Sequence, residues 1–396
     1  MTAPALDVIR REVDRRFDSF VSDLRQMVDL DCGTYTPEGV NAIADLCAKR
    51  FATLGFDVER HPHRPAPGDP QLGDCLVGHR DGAGPRVLLI GHMDTVFPDG
   101  TAATRPFRVE RDRAFGPGAS DMKGGLLAGF LALEALEATA GLSMPVTYVC
   151  NPDEEIGSVF SKALIEERAR SAEVCFVLEC ARSNGNIVSA RKGITDMRVE
   201  ISGRAAHAGV EPEKGRNAVL EAAHKVLALQ ALNGRWPGVT VNVGVVRGGT
   251  RPNVVADHCS LEIDIRSPRE DTFAEAEAEA TRIAESHTVP DVTAEVRLMG
   301  GHRPMERSEA SGRLVALAQQ IAGELGFSVA DTATGGASDA NTTSGLGVPT
   351  LDGLGPIGGD AHAQGEWLDL ASVVPRVTLL AGLIARAGDA LVGTSE

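Results

Sequence analysis

The run Val87-Leu88-Leu89-Ile90-Gly91-His92-Met93-Asp94-Thr95-Val96 constrains this chain more than any other stretch. Four consecutive apolar residues of β-forming type predict a strand buried on both faces, as found where helices cover both sides of a mostly parallel sheet. Polar residues enter only as the run stops. The chemistry is therefore expected at the strand's carboxyl end, the edge where open α/β sheets bind ligands. His92 and Asp94 stand two residues apart and project to the same side of an extended chain. An imidazole is thus presented beside a carboxylate able to hold its second nitrogen.

The same grammar recurs. Pro145-Val146-Thr147-Tyr148-Val149-Cys150 is strand-like and runs into Asn151-Pro152-Asp153-Glu154-Glu155, and Val174-Cys175-Phe176-Val177-Leu178 ends in Glu179. Between the first two, Gly116 to Gly125 forms a glycine-rich turn that places Asp121 ahead of a helical pattern over Leu126–Leu136. Gly358-Gly359-Asp360-Ala361-His362 offers a second histidine in a late loop. Two histidines and several carboxylates on one rim suit two borderline divalent ions, most simply zinc, with Co²⁺ or Mn²⁺ as substitutes.

Gly91 to Val96, Gly118 to Gly125, Asp153-Glu154-Glu155, Glu179, Gly203 to Gly209, Asn253 and His362 resemble, in order and spacing, the dinuclear zinc metallopeptidase family of glutamate carboxypeptidase, acetylornithine deacetylase and succinyl-diaminopimelate desuccinylase. The match runs from about Val87 to Trp367 and looks closest to glutamate carboxypeptidase. The resemblance implies that Asp121 bridges two zinc ions, with His92 and Glu179 completing one site and Glu155 and His362 the other. Asp94 would orient His92. Glu154, not itself a ligand, would act as general base toward water and then pass the proton to the leaving nitrogen.

A length of 396 residues suits two domains or one large domain with an insertion. After Glu179 the pattern is strand over Ile194–Ser202, helix over Arg216–Leu232, strands over Val239–Val246 and Cys259–Arg266, helix over Thr272–Ser286, and strand over Val292–Leu298. This β-α-β-β-α-β order predicts a small α+β unit over 192–301, inserted into an α/β catalytic domain formed by 1–191 and 302–396. At the other end, Leu6, Ile9, Val13, Phe17, Phe20, Leu24 and Met27 predict one amphipathic helix. A formal charge of −16 with no basic stripe argues against nucleic acid or an anionic membrane surface. No apolar run is seen to approach the ~20 residues of a membrane span. The segment Met1 to Ala5 shows no basic-then-apolar leader, and seven cysteines without a Cys-x-x-Cys pair fit reduced thiols. A cytoplasmic location is expected. His61-Pro62-His63 reads as a proline-bounded surface loop with no strand before it.

The inserted unit carries polar residues that packing does not need. By resemblance, His207 in Gly203 to Gly209 would be a lid histidine that stabilises the oxyanion, commonly in the partner subunit's site, and Asn253 would be its lid companion. Arg266 and Arg303 are candidates to grip a substrate carboxylate, since guanidinium matches carboxylate in a two-pronged geometry; a strand-end ion pair is the other reading. The resemblance implies a homodimer joined through the lid, acting on an N-acyl amino acid or short peptide with a free carboxylate. The alternatives are a deacetylase or desuccinylase of N-acyl amino acids and, from another class, a non-catalytic binding homologue. A scaffold would not need Glu154 beside intact ligands.

Overall fold

The Val87–His92 strand is buried along its whole length in the computed structural model, which describes residues 5–391. Residues 1–4, which begin the segment read above for a leader, and residues 392–396 lie outside the described range. Both neighbours of this strand run parallel to it. Ile90 registers with Val149 of Val146–Asn151 on one side and with Val177 of Val174–Val177 on the other. Thr350–Leu351 extends the parallel half beyond Val174–Val177. On the opposite side Cys75–Arg80 and Asp57–His61 add antiparallel, so the six-stranded sheet is mixed, with its parallel strands grouped where the motifs end. The three polar clusters His92–Asp94, Asn151–Glu155 and Glu179 therefore leave one edge side by side.

Helices cover this sheet because their apolar faces have nowhere else to go. Gly124–Ala140 buries nearly every residue of its first three turns, and Val373–Leu391, Glu309–Glu324 and Leu6–Arg15 join it in one hydrophobic core. Gly125 has a local reason. A Cβ there would stand 1.8 Å from the carbonyl oxygen of Leu178, so only glycine lets the helix start this close to the strand that ends in Glu179. That approach brings Asp121 and Glu179 to the same place.

Three expectations need correction. The predicted single helix from Leu6 to Met27 is two, Leu6–Arg15 and Phe17–Val28, broken at Arg16 by one tightened turn in which its amide bonds the Val13 carbonyl at 3.1 Å. The apolar spacing runs straight through the break, which is why the pattern conceals it. A strand, Asp57–His61, does precede Pro62, though it is an exposed edge strand whose partner lies on one side only. Finally, Leu370–Leu391 is long and apolar enough to cross a membrane, by length and composition alone, yet most of it is buried within the protein. It is a core helix.

The chain divides into two compact units. The first takes residues up to Ser189, Arg307–Ala333 and Ser338 onward; the second takes Ala190–Glu306 and Thr334–Ala337. The second is thus not a single insertion over 192–301, because a four-residue return at 334–337 belongs to it. In it an antiparallel sheet of Thr240–Gly248, His258–Ser267, Gly193–Ser202 and Thr293–His302, in that spatial order, buries one face against the helices Ala218–Gln230 and Glu270–Glu285. The return is held by arginines: Arg191 Nη1 donates to the carbonyls of Gly336 at 2.9 Å and Ala337 at 3.3 Å, and Arg266 Nη1 to Gly335 at 3.0 Å.

Candidate metal centre

The centre is built on the imidazole of His92, which is 1% exposed. Its Nδ1 lies 3.0 Å from the backbone oxygen of Asp94 and 3.4 Å from the Asp94 carboxylate. Donation from Nδ1 to those oxygens fixes the ring and leaves Nε2 facing three carboxylates: Asp121 Oδ1 at 3.2 Å, Glu179 Oε1 at 3.6 Å and Glu154 Oε2 at 4.0 Å. The second imidazole, His362, faces Asp121 Oδ2 at 3.2 Å and Glu155 Oε2 at 3.0 Å. The two oxygens of Asp121 thus point at different histidines. Among the described residues, two groups have ligand atoms spaced to hold an ion, His92–Asp121–Glu179 and Asp121–Glu155–His362, and they share Asp121. Glu154 is in neither.

The electrostatics fit a cationic occupant. Five carboxylates, Asp94, Asp121, Glu154, Glu155 and Glu179, crowd around two imidazoles, so even doubly protonated histidines leave a negative excess. Burial pushes the Glu154 carboxyl well above its usual range, the nearby Glu179 charge adds to that, and His92 opposes it. Burial also raises Glu155, with the His362 hydrogen bond opposing. Burial works against a charged His92, but its bonds to Asp121 and Asp94 win and hold it well above the ordinary histidine value. His362 is pushed up to about 10 by its bonds to Asp121 and Glu155. Despite its burial, Asp121 is driven down by hydrogen bonds from His362 and His92. Protons stand at the histidine nitrogens where two divalent ions would sit, and the nitrogen and oxygen donor set suits zinc.

Two supports were missed in the sequence. Asp94 does more than orient His92: its Oδ1 accepts from the Glu154 amide at 3.2 Å, and its Oδ2 accepts from the Glu155 amide at 3.3 Å and the Thr34 hydroxyl at 2.6 Å. One carboxylate therefore ties the imidazole to the turn bearing both glutamates. Glu366, fully buried, accepts from the amides of Gly118 at 2.8 Å, Ser120 at 2.9 Å and Asp121 at 3.0 Å, and from the Ser120 hydroxyl at 3.2 Å. Antiparallel pairing of Trp367–Asp369 with Arg113–Phe115 delivers it to that turn. Only its position between a glycine and an apolar strand singles it out in the sequence.

The remaining candidates lie in the second unit. His207 and Asn253 come together there: their loops pair at His207 and Val254, and the Ala208 amide donates to the Asn253 carbonyl at 3.0 Å. The Gly209 amide donates to His207 Nδ1 at 3.1 Å, so the exposed ring carries its hydrogen on Nε2 when neutral. Arg266 is engaged by Asp264 through Nε at 2.9 Å and Nη2 at 2.9 Å, in addition to its bond to Gly335. Arg303 pairs with Glu270 at 3.0 Å and is 56% exposed. Both arginines sit in ion pairs within their own unit.

Comparison with known proteins agrees with this geometry. The model of peptidase family M20/M25/M40 matches residues 88–386. Carboxypeptidase G2 of Pseudomonas sp. (strain RS-16) is 30% identical over 376 residues, covering 93% of this chain and 89% of that protein. Acetylornithine deacetylase of Myxococcus xanthus is 30% identical over 257 residues, covering 61% of this chain and 65% of that protein. Among solved structures, the aminopeptidase PepT of Bacillus cereus ATCC 10987 superposes with a TM-score of 0.76 at 25% identity, covering 93% of this chain and 98% of that one.

Proposed function

Since the chain belongs to peptidase family M20/M25/M40 and is a hydrolytic enzyme, we propose that it is a dizinc amidohydrolase cleaving the amide bond of an N-acyl or N-peptidyl amino acid with a free carboxylate. The observation that carries this reading is the placement of Asp121 between two histidines, with Glu154 4.0 Å from His92 and part of neither ligand group. Bound zinc would lower the pKa of a shared water and polarise the amide carbonyl. The chain's own residues do the rest. Asp94 fixes His92 and the glutamate turn, and Asp121, Glu155, Glu179, His92 and His362 hold the ions. Glu154, held by burial well above its ordinary carboxylate value, takes a proton from the attacking water and gives it to the leaving nitrogen. His207 Nε2–H serves as an oxyanion donor, a contact whose loss commonly costs ~3 kcal/mol of transition-state binding.

The likeness to carboxypeptidase G2 over most of both chains supports a carboxypeptidase reading. The shorter likeness to an acetylornithine deacetylase keeps deacylation of N-acyl amino acids as the second. A homodimer joined through the second unit is part of the proposal, supported by exposed Leu220 and Leu227 on the Ala218–Gln230 helix and exposed Val246 on an edge strand. A cytoplasmic location is likewise proposed, on seven buried cysteines without a Cys-x-x-Cys pair. Elemental analysis combined with turnover of free-acid and C-terminally amidated N-acyl amino acids tests the whole. Two zinc ions per chain and a strong preference for the free acid are expected. Equal turnover of both forms would exclude the carboxypeptidase reading.

A further inference from the structure

We propose that Asp339 is a positioning residue, holding through Asn151 and Ser158 the turn that presents Glu154 and Glu155; the functional consequence rests on the reading above. The Val146–Asn151 strand ends in Asn151, which is fully buried, and the turn follows at once. Every hydrogen-bonding position of the Asn151 amide is used. Its Nδ2 donates to Asp339 Oδ2 at 2.6 Å and to Ser158 Oγ at 2.9 Å. Its Oδ1 accepts from the Asp153 amide at 2.9 Å and from the Ser161 hydroxyl at 2.8 Å. Ser158 in turn donates to Asp339 Oδ1 at 2.6 Å. The two oxygens of Asp339 thus take one donor from each end of the turn. Asp153 closes it from within, accepting from the amides of Phe160 at 2.6 Å and Ser161 at 3.3 Å.

Asp339 reaches this place from far along the chain, at the start of the Asp339–Gly345 helix, where a capping box on Ser338 fixes the backbone. Its hydrogen bonds run to the two ends of the turn, and its charge also acts on Glu154 directly, so loosening of the turn is the effect that separates positioning from charge alone. The arrangement is polar, buried and complete, and such a network specifies one geometry only while every member is satisfied. Replacing Asp339 by asparagine sets its NH₂ either against Asn151 Nδ2, which breaks that bond, or against Ser158 Oγ, whose hydroxyl must reverse to accept and so loses the acceptor for its own hydrogen; both bonds to a carboxylate are lost in either case. Asn151→Asp alone sets two carboxylates against each other across 2.6 Å, and adding Asp339→Asn returns one carboxylate and one amide to that pair, although the single hydrogen of the Ser158 hydroxyl can then serve only one of positions 151 and 339.

The experiment compares the full-length wild type, D339N, N151D and the double exchange by amide hydrogen exchange, zinc titration and steady-state kinetics. In D339N the amides of residues 153–162 should exchange roughly tenfold faster or more, while those of Val87–His92 keep their protection. The affinity for one of the two zinc ions, the one held by Glu155, and kcat should each fall about 10- to 100-fold, with KM nearly unchanged. The double exchange should improve on N151D in all three. Unchanged protection of 153–162 in D339N, uniform loosening of the whole unit, or a double exchange no better than N151D would overturn the role of Asp339. If the wild type bound no zinc and hydrolysed nothing, the functional reading would fail on that arm alone. Hydrogen exchange would still decide whether Asp339 holds the turn.

Discussion

Replacing Glu366 by glutamine tests whether the bridging aspartate is placed by its own turn or by the carboxylate beneath it. Glu366 accepts four hydrogen bonds, three on Oε1 and one on Oε2, and its partners are all donors. Glutamine can keep one oxygen. Its best orientation leaves the three bonds to Ser120 and Asp121 in place and turns an NH₂ toward the Gly118 amide, so two buried donors face each other. One charge-assisted bond lost is worth about 1.5 to 3 kcal/mol, and an unsatisfied buried donor costs about 1 to 3 more. Burial raises the Glu366 carboxyl, and the Asp121 charge adds to that, so removing its charge recovers part of the loss. The net expectation is a destabilisation of about 2 to 4 kcal/mol, or roughly 2 to 5 °C in melting temperature for a chain of 396 residues. Calorimetry of the metal-free variant measures it. Because both ligand groups share Asp121, zinc titration should show both ions weakened together. A melting temperature within a degree of wild type, with both zinc affinities intact, would refute the view that Glu366 sets Asp121.

Five further outcomes are expected. Because the fold holds His92 well above its ordinary value and His362 at about 10, zinc binding near pH 7.5 should release about two protons per chain, read from calorimetry in buffers of different ionisation enthalpy; release near zero would contradict it. The same shift has a sign for stability: the metal-free protein keeps the full His362 contribution below pH 6.5 and loses it as pH rises through about 10, so its melting temperature should fall over that window. Glu154→Gln should retain both metals while lowering turnover roughly a hundredfold or more, whereas Glu155→Gln should lose metal and activity together; the opposite pattern would reverse their roles. If Arg266 or Arg303 grips the substrate carboxylate, alanine at the responsible position should cost ~2 to 4 kcal/mol of transition-state binding for free-acid substrates and almost nothing for amidated ones. Mixing inactive His207→Ala and Glu154→Gln proteins under subunit exchange should regenerate activity if His207 acts on a partner's site, and persistent inactivity despite exchange would exclude the shared site.

The parts of this fold that local order determines were legible in the sequence. Each parallel strand is an apolar run that stops at polar residues, so the rim could be read from Val87–His92, Val146–Asn151 and Val174–Val177 one at a time. The family assignment followed from the residues on that rim, and the solved relatives share the α/β architecture. What stayed hidden depends on partners distant in the chain. Glu366 bonds residues 245 to 248 positions away, Asp339 reaches Asn151 across 188, and Thr34 reaches Asp94 across 60. Periodicity carries no information about such pairs. The ion pairs of Arg266 and Arg303 were foreseen as an alternative, yet whether either guanidinium meets a ligand was never written in its spacing.

The return at 334–337 bears on any attempt to treat the smaller unit as a portable module. Its boundaries mean that the chain passes between the units four times, at 189/190, 306/307, 333/334 and 337/338. A fragment cut at the first two of these, 190–306, would take Arg191 and Arg266 but leave behind the carbonyls of Gly335, Gly336 and Ala337 that they hold. Two guanidinium groups would then lose their backbone acceptors at the very point where the excision was made. A chimera that exchanges this unit with that of a relative must therefore graft two pieces of chain, and the shorter one, only four residues long, is the piece that an alignment of strands and helices would overlook.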